Sequence, residues 1–249
     1  MENLFVCAMD IGEQLLISGA EVHRVEESIS RMCSAFGFAR ADVFIITTSM
    51  VVTVFDNDGK SLTQTRRINS TSIDYEKLHL LNDLSRRICE NKIVYEEIRR
   101  EIEAIKGKKS YPLWAEFLSY SGIAAVFTLF FGGGLKEAAV SLIIGALVRL
   151  GILLSEKVFT NKIFNKFISS LIVSLLAFVA VKFGVIATAD NVIIGNIMTL
   201  IPGLGLTNAL RDLFTGDSIA GLLRTIEAVL IALAIAAGYF VVALGGAAL

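Results

Sequence analysis

Lys106-Gly107-Lys108-Lys109-Ser110-Tyr111-Pro112 runs straight into Leu113-Trp114-Ala115-Glu116-Phe117-Leu118-Ser119-Tyr120-Ser121-Gly122-Ile123-Ala124-Ala125-Val126-Phe127-Thr128-Leu129-Phe130-Phe131. Within a few residues a basic, solvated stretch becomes one that can span a bilayer, which takes about 20 apolar residues. The junction divides the chain of 249 residues. Residues 1–111 carry 15 basic and 17 acidic side chains, and the longer stretch 112–249 carries 8 and 7. The expectation is a cytoplasmic α+β domain over 1–111 followed by an α-helical integral membrane domain over 112–249.

Working outward to the C-terminus, five spans are expected, at 113–131, 137–154, 167–187, 191–206 and 225–245. Gly132-Gly133-Gly134 suits a tight turn between the first two. Pro202-Gly203 breaks the fourth, because proline lacks the amide that a helix interior needs. Orientation follows from the cations. Lys106, Lys108 and Lys109, then Lys157, Lys162 and Lys166, then Arg211 and Arg224 fall on one set of flanks; the other set carries little beyond Lys136. Cytoplasmic loops hold the excess of Lys and Arg. The N-terminus is therefore expected inside the cell and the C-terminus outside. Met1-Glu2-Asn3-Leu4 lacks the basic start of a secretory signal.

Toward the N-terminus, residues 4–36 read as one long helix. Phe5, Ala8, Gly12, Leu15, Gly19, Val22, Ile29, Cys33 and Phe36 keep a 3–4 spacing, interrupted by Glu26. Residues 43–55 and 60–68 read as strands around the turn Asp56-Asn57-Asp58-Gly59, and two amphipathic helices are expected near 74–91 and 93–106. Cys7, Cys33 and Cys89 are odd in number and lack metal-ligand spacing, so buried thiols in a reducing compartment are expected. A net charge of −1 and 54% hydrophobic residues do not suit a nucleic-acid binder, which needs a basic face.

Ionisable groups within apolar segments are costly in lipid and are functional candidates. They are Glu116, Arg149, Lys182, Asp190, Arg211, Asp212 and Glu227. The densest polar cluster surrounds the break: Asn196, Thr199, Pro202, Gly203, Thr207, Asn208, Arg211 and Asp212. A helix restarting after Pro-Gly offers free amides and a partial positive charge, which suit a carboxylate. Thr207 and Arg211, like Asn208 and Asp212, are four apart and would share a helix face. The alternative is a re-entrant turn capped by its own side chains. Arg149 either faces a cavity or reaches back to the cytoplasmic surface. Glu227 follows Arg224 by three and serves either as an ion-pair partner or as a coupling carboxylate. In the first domain, Ser18-Gly19-Ala20-Glu21-Val22-His23-Arg24-Val25-Glu26 stands out. Its charges at helical spacing suit a solvated face. His23 with Glu26 and Glu27 supplies one histidine where zinc-peptidase helices have two, and no Gly-rich phosphate loop is present. No metal, cofactor or catalytic group is expected.

Two segments together resemble the threonine/serine exporter family. One is the Ser18–Glu26 core. The other is Pro202-Gly203 with Thr207-Asn208, Arg211-Asp212, Gly216-Asp217, Gly221, Arg224 and Glu227-Ala228. The resemblance covers essentially the whole chain. It implies a secondary exporter in the cytoplasmic membrane and, with five spans, the larger subunit of a split two-component form. That form implies a small separate membrane partner and a homo- or hetero-oligomer. The implied substrates are threonine, serine or a dicarboxylate such as succinate. The polar cluster at the break itself assigns substrate binding to Asn196, Thr199, Pro202, Gly203, Thr207, Asn208 and Arg211. Asp212, Glu227, Arg224 and Arg149 remain for coupling or ion pairing. The rival class is a membrane-anchored enzyme or regulatory domain whose spans serve only as an anchor.

Overall fold

A computed structural model describes residues 2–91, 93–108, 111–158 and 161–246. Lys109 and the side chain of Lys157, both counted among the cytoplasmic flanks, lie outside the described residues. The chain packs into two compact units. The first holds Met1–Ser110 together with Gly205–Thr225, and the second holds Tyr111–Leu204 together with Ile226–Leu249.

In the first unit the expected long helix is two: α1 (Glu2–Ile17) and α2 (Val22–Ala35). The apolar spacing runs through the junction, which is why periodicity alone joins them. The break is a glycine cap. Gly19 has φ +90°, its N–H donates to Leu16 O (3.1 Å), and Ala20 N–H donates to Leu15 O (3.0 Å). This pair of bonds closes a helix end around a left-handed residue that glycine adopts without a Cβ penalty. The carbonyls freed at Ile17 and Ser18 accept from the amides of Ser72 and Asp74 at 2.8 and 3.1 Å.

The expected strand over 43–55 is likewise two. β1 (Arg40–Ile46), β2 (Ser49–Phe55) and β3 (Ser61–Arg67) form an antiparallel sheet in chain order. Thr47-Thr48 turns the first hairpin, where Ile46 pairs with Ser49. Met50, Val52 and Val54 alternate inward along β2 and join Phe5, Met9, Leu15, Ile29 and Met32 in the core. Glu26, the polar interruption in the helical pattern, accepts from Ile45 N–H at 2.9 Å. β1 is an edge strand, so Glu26 satisfies an amide that no neighbouring strand reaches. α3 (Tyr75–Asn91) and α4 (Tyr95–Gly107) complete the layer on α1. Cys7 and Cys33 are buried, which pushes their thiols up to about 11 and about 12. Cys89 is exposed, contrary to the expected burial: it falls on the outer face of α3, beside the buried Ile88.

The second unit is built from α5 (Leu113–Phe130), α6 (Leu135–Val158), α7 (Lys162–Lys182), α8 (Asp190–Ile197) and the greater part of α10 (Ser218–Gly246). α5, α6, α7 and α10 are long and apolar enough to cross a membrane. The expected fourth span is interrupted, as the Pro202-Gly203 pair requires. α8 ends at Ile197, and α9 (Gly203–Thr215) starts after the Pro202 break, within a stretch that belongs largely to the first unit. The last helix also begins seven residues earlier than expected, at Ser218.

The second unit is patterned inside out. Leu118, Val126, Leu142, Leu147, Leu175 and Leu233 are exposed, while Ser121, Thr128, Ser141, Ser169, Ser170 and Ser174 are buried. Lipid tails are as apolar as leucine, so membrane helices associate through small and polar side chains. A Cβ on Gly145 would stand 2.8 Å from Tyr120 O, so α5 and α6 meet backbone to backbone there. Thr128 and Ser141 hydroxyls bond at 2.6 Å, and Ser170 Oγ donates to Ile235 O at 2.7 Å.

Candidate functional site

The two segments that stand out in the sequence meet inside the first unit. The α1–α2 break supplies Gly19, Ala20 and Glu21; α9 and the start of α10 supply Asn208, Arg211, Asp212 and Arg224. Asn208 Nδ2 donates to Gly19 O at 3.4 Å. Arg211 Nη1 donates to Glu21 Oε1. Arg224 Nη2 donates to Ala20 O at 3.2 Å and its Nη1 to Asp212 Oδ2 at 2.7 Å. The glycine cap at Gly19 ends α1 early and turns these carbonyls outward, which makes them available to α9 and α10.

α9 is helical over Gly203–Thr215, so Thr207 with Arg211 and Asn208 with Asp212 occupy two faces. Thr207 and Arg211 are exposed, whereas Asn208 is half-buried and Asp212 fully buried. Burial pushes the Asp212 carboxyl above the ordinary carboxylate range, against the pull of the Arg224 guanidinium and the Val22 amide. Asp212 Oδ1 has no hydrogen-bond partner among the described residues. Arg211 therefore pairs with Glu21, and Asp212 with Arg224. Glu227 is exposed on α10 and joins no ion pair among the described residues.

A cavity of about 400 Å³ opens beside these pairs. Its polar lining includes Glu21, Arg24, His79, Asn82, Asn208 and Arg211, over an apolar floor of Leu15, Val25 and Leu78. Binding sites for small molecules are concave, largely apolar and carry a few convergent polar groups. Of the Ser18–Glu26 motif residues, Ser18 is buried, Gly19 and Ala20 form the cap, and Glu26 holds β1.

The remaining candidates lie in the second unit. Asn196 is fully buried on α8; its Nδ2 donates to Val192 O at 2.9 Å and its Oδ1 has no partner among the described residues. Thr199 Oγ1 donates to Asn196 O at 2.7 Å. Pro202 closes this stretch, and Gly203 opens α9. Arg149 of α6 does not reach for the surface. Its Nε and Nη2 both bond Glu116 Oε2 of α5, with 2.8 Å for the Nε bond. The Arg149 guanidinium also stands over the Tyr120 ring, 5.6 Å from its centroid. The side chains are 12% and 26% exposed, so the pair is largely removed from its surroundings.

Sequence reasoning missed two of these relations. Glu116 lies at a span end and reads there as an interfacial charge; its partner is 33 residues away. Glu21 and Arg211 are separated by 190 residues, and no local spacing links them. His79 and Asn82 carried no signal at all, because on a polar amphipathic helix they look like solvated side chains.

An inside-out helical unit with a half-buried ion pair defines an integral membrane protein, joined here to an α+β unit with a polar cavity. The chain belongs to the ThrE threonine/serine exporter family, whose pattern matches residues 6–245. It is a membrane transporter and not an enzyme. The "Probable succinate transporter subunit YjjP" of Klebsiella aerogenes is 26% identical, over 90% of this chain and 86% of its own length. The "Probable threonine/serine exporter" of Mycobacterium tuberculosis is 23% identical, over 93% of this chain and 44% of its own length. The "Threonine/serine exporter" of Corynebacterium glutamicum is 24% identical, over 93% of this chain and 49% of its own length. No solved structure matches the chain.

Proposed function

We propose that the protein is the larger subunit of a two-component secondary exporter for small carboxylate-bearing metabolites, acting with a small separate membrane subunit. The observation that carries transport over mere anchorage is the polar interior of the apolar unit. The Glu116–Arg149 pair and the Asn196 oxygen that has no partner among the described residues are expensive in lipid and useless to an anchor. The subunit reading is supported by the relatives named as transporter subunits, most of whose length this chain covers.

The proposed substrate carboxylate sits at Arg211 with Thr207 and Asn208 of α9. Arg suits this role because its planar fork binds both oxygens. Glu21 holds Arg211, and Asp212 holds Arg224. Coupling falls to these carboxylates and to Glu227.

The proposed topology keeps the N-terminus in the cytoplasm and the C-terminus outside. Support comes from the first unit, which combines Met1–Ser110 with Gly205–Thr225. One compact unit occupies one side of a membrane. α5, α6 and α7 cross three times, so the chain must return once more between Phe183 and Leu204. α8 supplies eight helical residues of that stretch, about 12 Å at about 1.5 Å per residue, so the non-helical segments on either side of it must cover the rest of the about 30 Å hydrocarbon core. α10 then makes the fifth crossing.

The test is efflux from cells carrying the chain and its partner, each alone, and neither. Export of threonine, serine or succinate should require both. Arg211→Lys keeps the charge and should lower export about ten- to a hundredfold at subsaturating substrate. Normal export by Arg211→Lys at equal expression refutes the site, and export by neither combination refutes the function.

A further inference from the structure

We infer that the apolar groove between α8 and α10 in the second unit is the docking face for one membrane-spanning helix of the smaller subunit. The inference rests on the two-component reading and deepens it by giving the partner a place and a chemistry.

The groove, of about 430 Å³, is built from two helix faces of that unit. Asp190, Ile194 and Ile197 recur four and three residues apart along α8, and Ile201 continues the line past its end. Ala232, Ala236 and Tyr239 recur in the same way along α10. Ile194 and Ile201 are 37% and 41% exposed, whereas their neighbours Ile193 and Leu200 are buried in the core of the unit. This stretch thus has one face filled from within the chain and one left open. Two alanines four apart on α10 let another helix approach to backbone distance.

Lipid is a poor occupant. The turn that carries Ile201 is not helical. In a continuing helix the amides of residues 202 and 203 would take the Met198 and Thr199 carbonyls. Pro202 has no amide, and Gly203 N–H donates instead to Ile201 O at 2.9 Å. Irregular backbone at membrane depth survives only where protein or water covers it, and acyl chains supply no donor. A second copy of the chain fits no better. A two-fold interface sets one patch against itself. Two grooves would then face each other, with Asp190 against Asp190 and carbonyls against carbonyls. The complement is a ridge that brings donors. It is a helix of small side chains, with a hydroxyl or amide at the depth of residues 198–199 and a basic residue at the Asp190 end.

The relatives supply the source of that helix. The chain covers 86% of a relative named as a transporter subunit, but only 44% and 49% of two exporters. The longer relatives carry in one polypeptide a further stretch that the shorter form takes from a separate chain.

The experiment uses the full chain in its own cells, with photoreactive p-benzoylphenylalanine in place of Ala236 or, as the comparison, of Leu118, which is exposed on α5. Irradiation, purification under denaturing conditions and peptide sequencing identify the adduct. The expected result is an adduct at position 236, well above that at 118, with a small membrane chain similar in sequence to the part of the Corynebacterium glutamicum exporter that this chain does not cover. An adduct with a second copy, with lipid alone, or in equal yield at 118 overturns the assignment. Ala232→Trp combined with Ala236→Trp fills the groove and should lower co-purification of that partner about tenfold, while Leu118→Trp should not. Undiminished co-purification of the double variant also overturns it, and the photoreactive side chain reports the contact even where the double variant does not fold. The two-component reading fails separately. Export by this chain alone removes the partner, whereas export that needs both chains without an adduct at 236 sinks this docking face alone.

Discussion

Arg224 donates to Asp212 across the Thr215–Asp217 turn, at 2.7 Å, and the Asp212 side chain is 1% exposed. The same guanidinium reaches Ala20 O at the α1–α2 break. One side chain thus ties three segments together: the end of α9, the start of α10 and the motif near residue 20. Asp212 lies within bonding reach of the α2 start through the Val22 amide.

Removing Arg224 should therefore cost more than removing Asp212. Arg224→Ala leaves a fully buried carboxylate without its cation, and breaking such a pair costs about 3–5 kcal/mol. Asp212→Asn leaves an arginine that still has Ala20 O and partial access to water. The readout is urea unfolding of the purified chain followed by labelling of Cys7 and Cys33, which are buried, in a Cys89→Ser background. Equal losses for the two variants would show that the pair does not organise this junction.

Glu26 sets a pH dependence. Burial raises its carboxyl above the ordinary value, and the Ile45 amide opposes this. The folded state then holds the proton more tightly than the unfolded state. Stability is fully present below the ordinary carboxylate value, about 4.3, and falls as pH rises through the raised one. Glu26→Gln keeps an acceptor for Ile45 and removes the ionisation. It should stabilise the sheet at pH 7.5, with the gain shrinking toward pH 4. Hydrogen exchange of the β1–β2 amides, corrected for intrinsic rates, measures this. A gain that grows on acidification contradicts the sign.

Glu116 and Arg149 form the test of the second unit. Glu116→Gln leaves an arginine largely removed from solvent and should cost about 1.5–3 kcal/mol. Arg149→Lys should cost a similar amount, because an ammonium cannot supply both the Nε and the Nη2 bonds. The exchanged pair, Glu116→Arg with Arg149→Glu, should recover part of the loss. Folded yield in detergent by size-exclusion chromatography gives the comparison. A fully tolerated Arg149→Lys would mean that the arginine reaches the interface.

The topology can be checked at three points. A reporter active only in the cytoplasm should work when fused at residue 1, work when inserted at Gly216, and fail when fused at residue 249. Activity at residue 249 together with residue 1 removes one crossing, and the stretch between Phe183 and Leu204 is then the one to withdraw.

The sequence alone determined where the apolar chain begins, because a bilayer imposes a length and a polarity that composition must meet. It also determined the helical periods of residues 75–107 and the break at Pro202, which follow from local backbone chemistry. It could not separate α1 from α2, since the apolar spacing passes unbroken through Gly19, and only the carbonyls taken by Ser72 and Asp74 turn a tolerated glycine into a helix end. It read Glu26 as an interruption, although an edge amide on β1 requires it. Tertiary structure alone decided the partners of the charges. Glu21 meets Arg211, Glu116 meets Arg149, and residues 205–225 pack with 1–110. Local spacing records what a residue faces on its own helix. Which distant charge neutralises it depends on how the buried carboxylates are compensated, and that is settled only when the chain closes on itself.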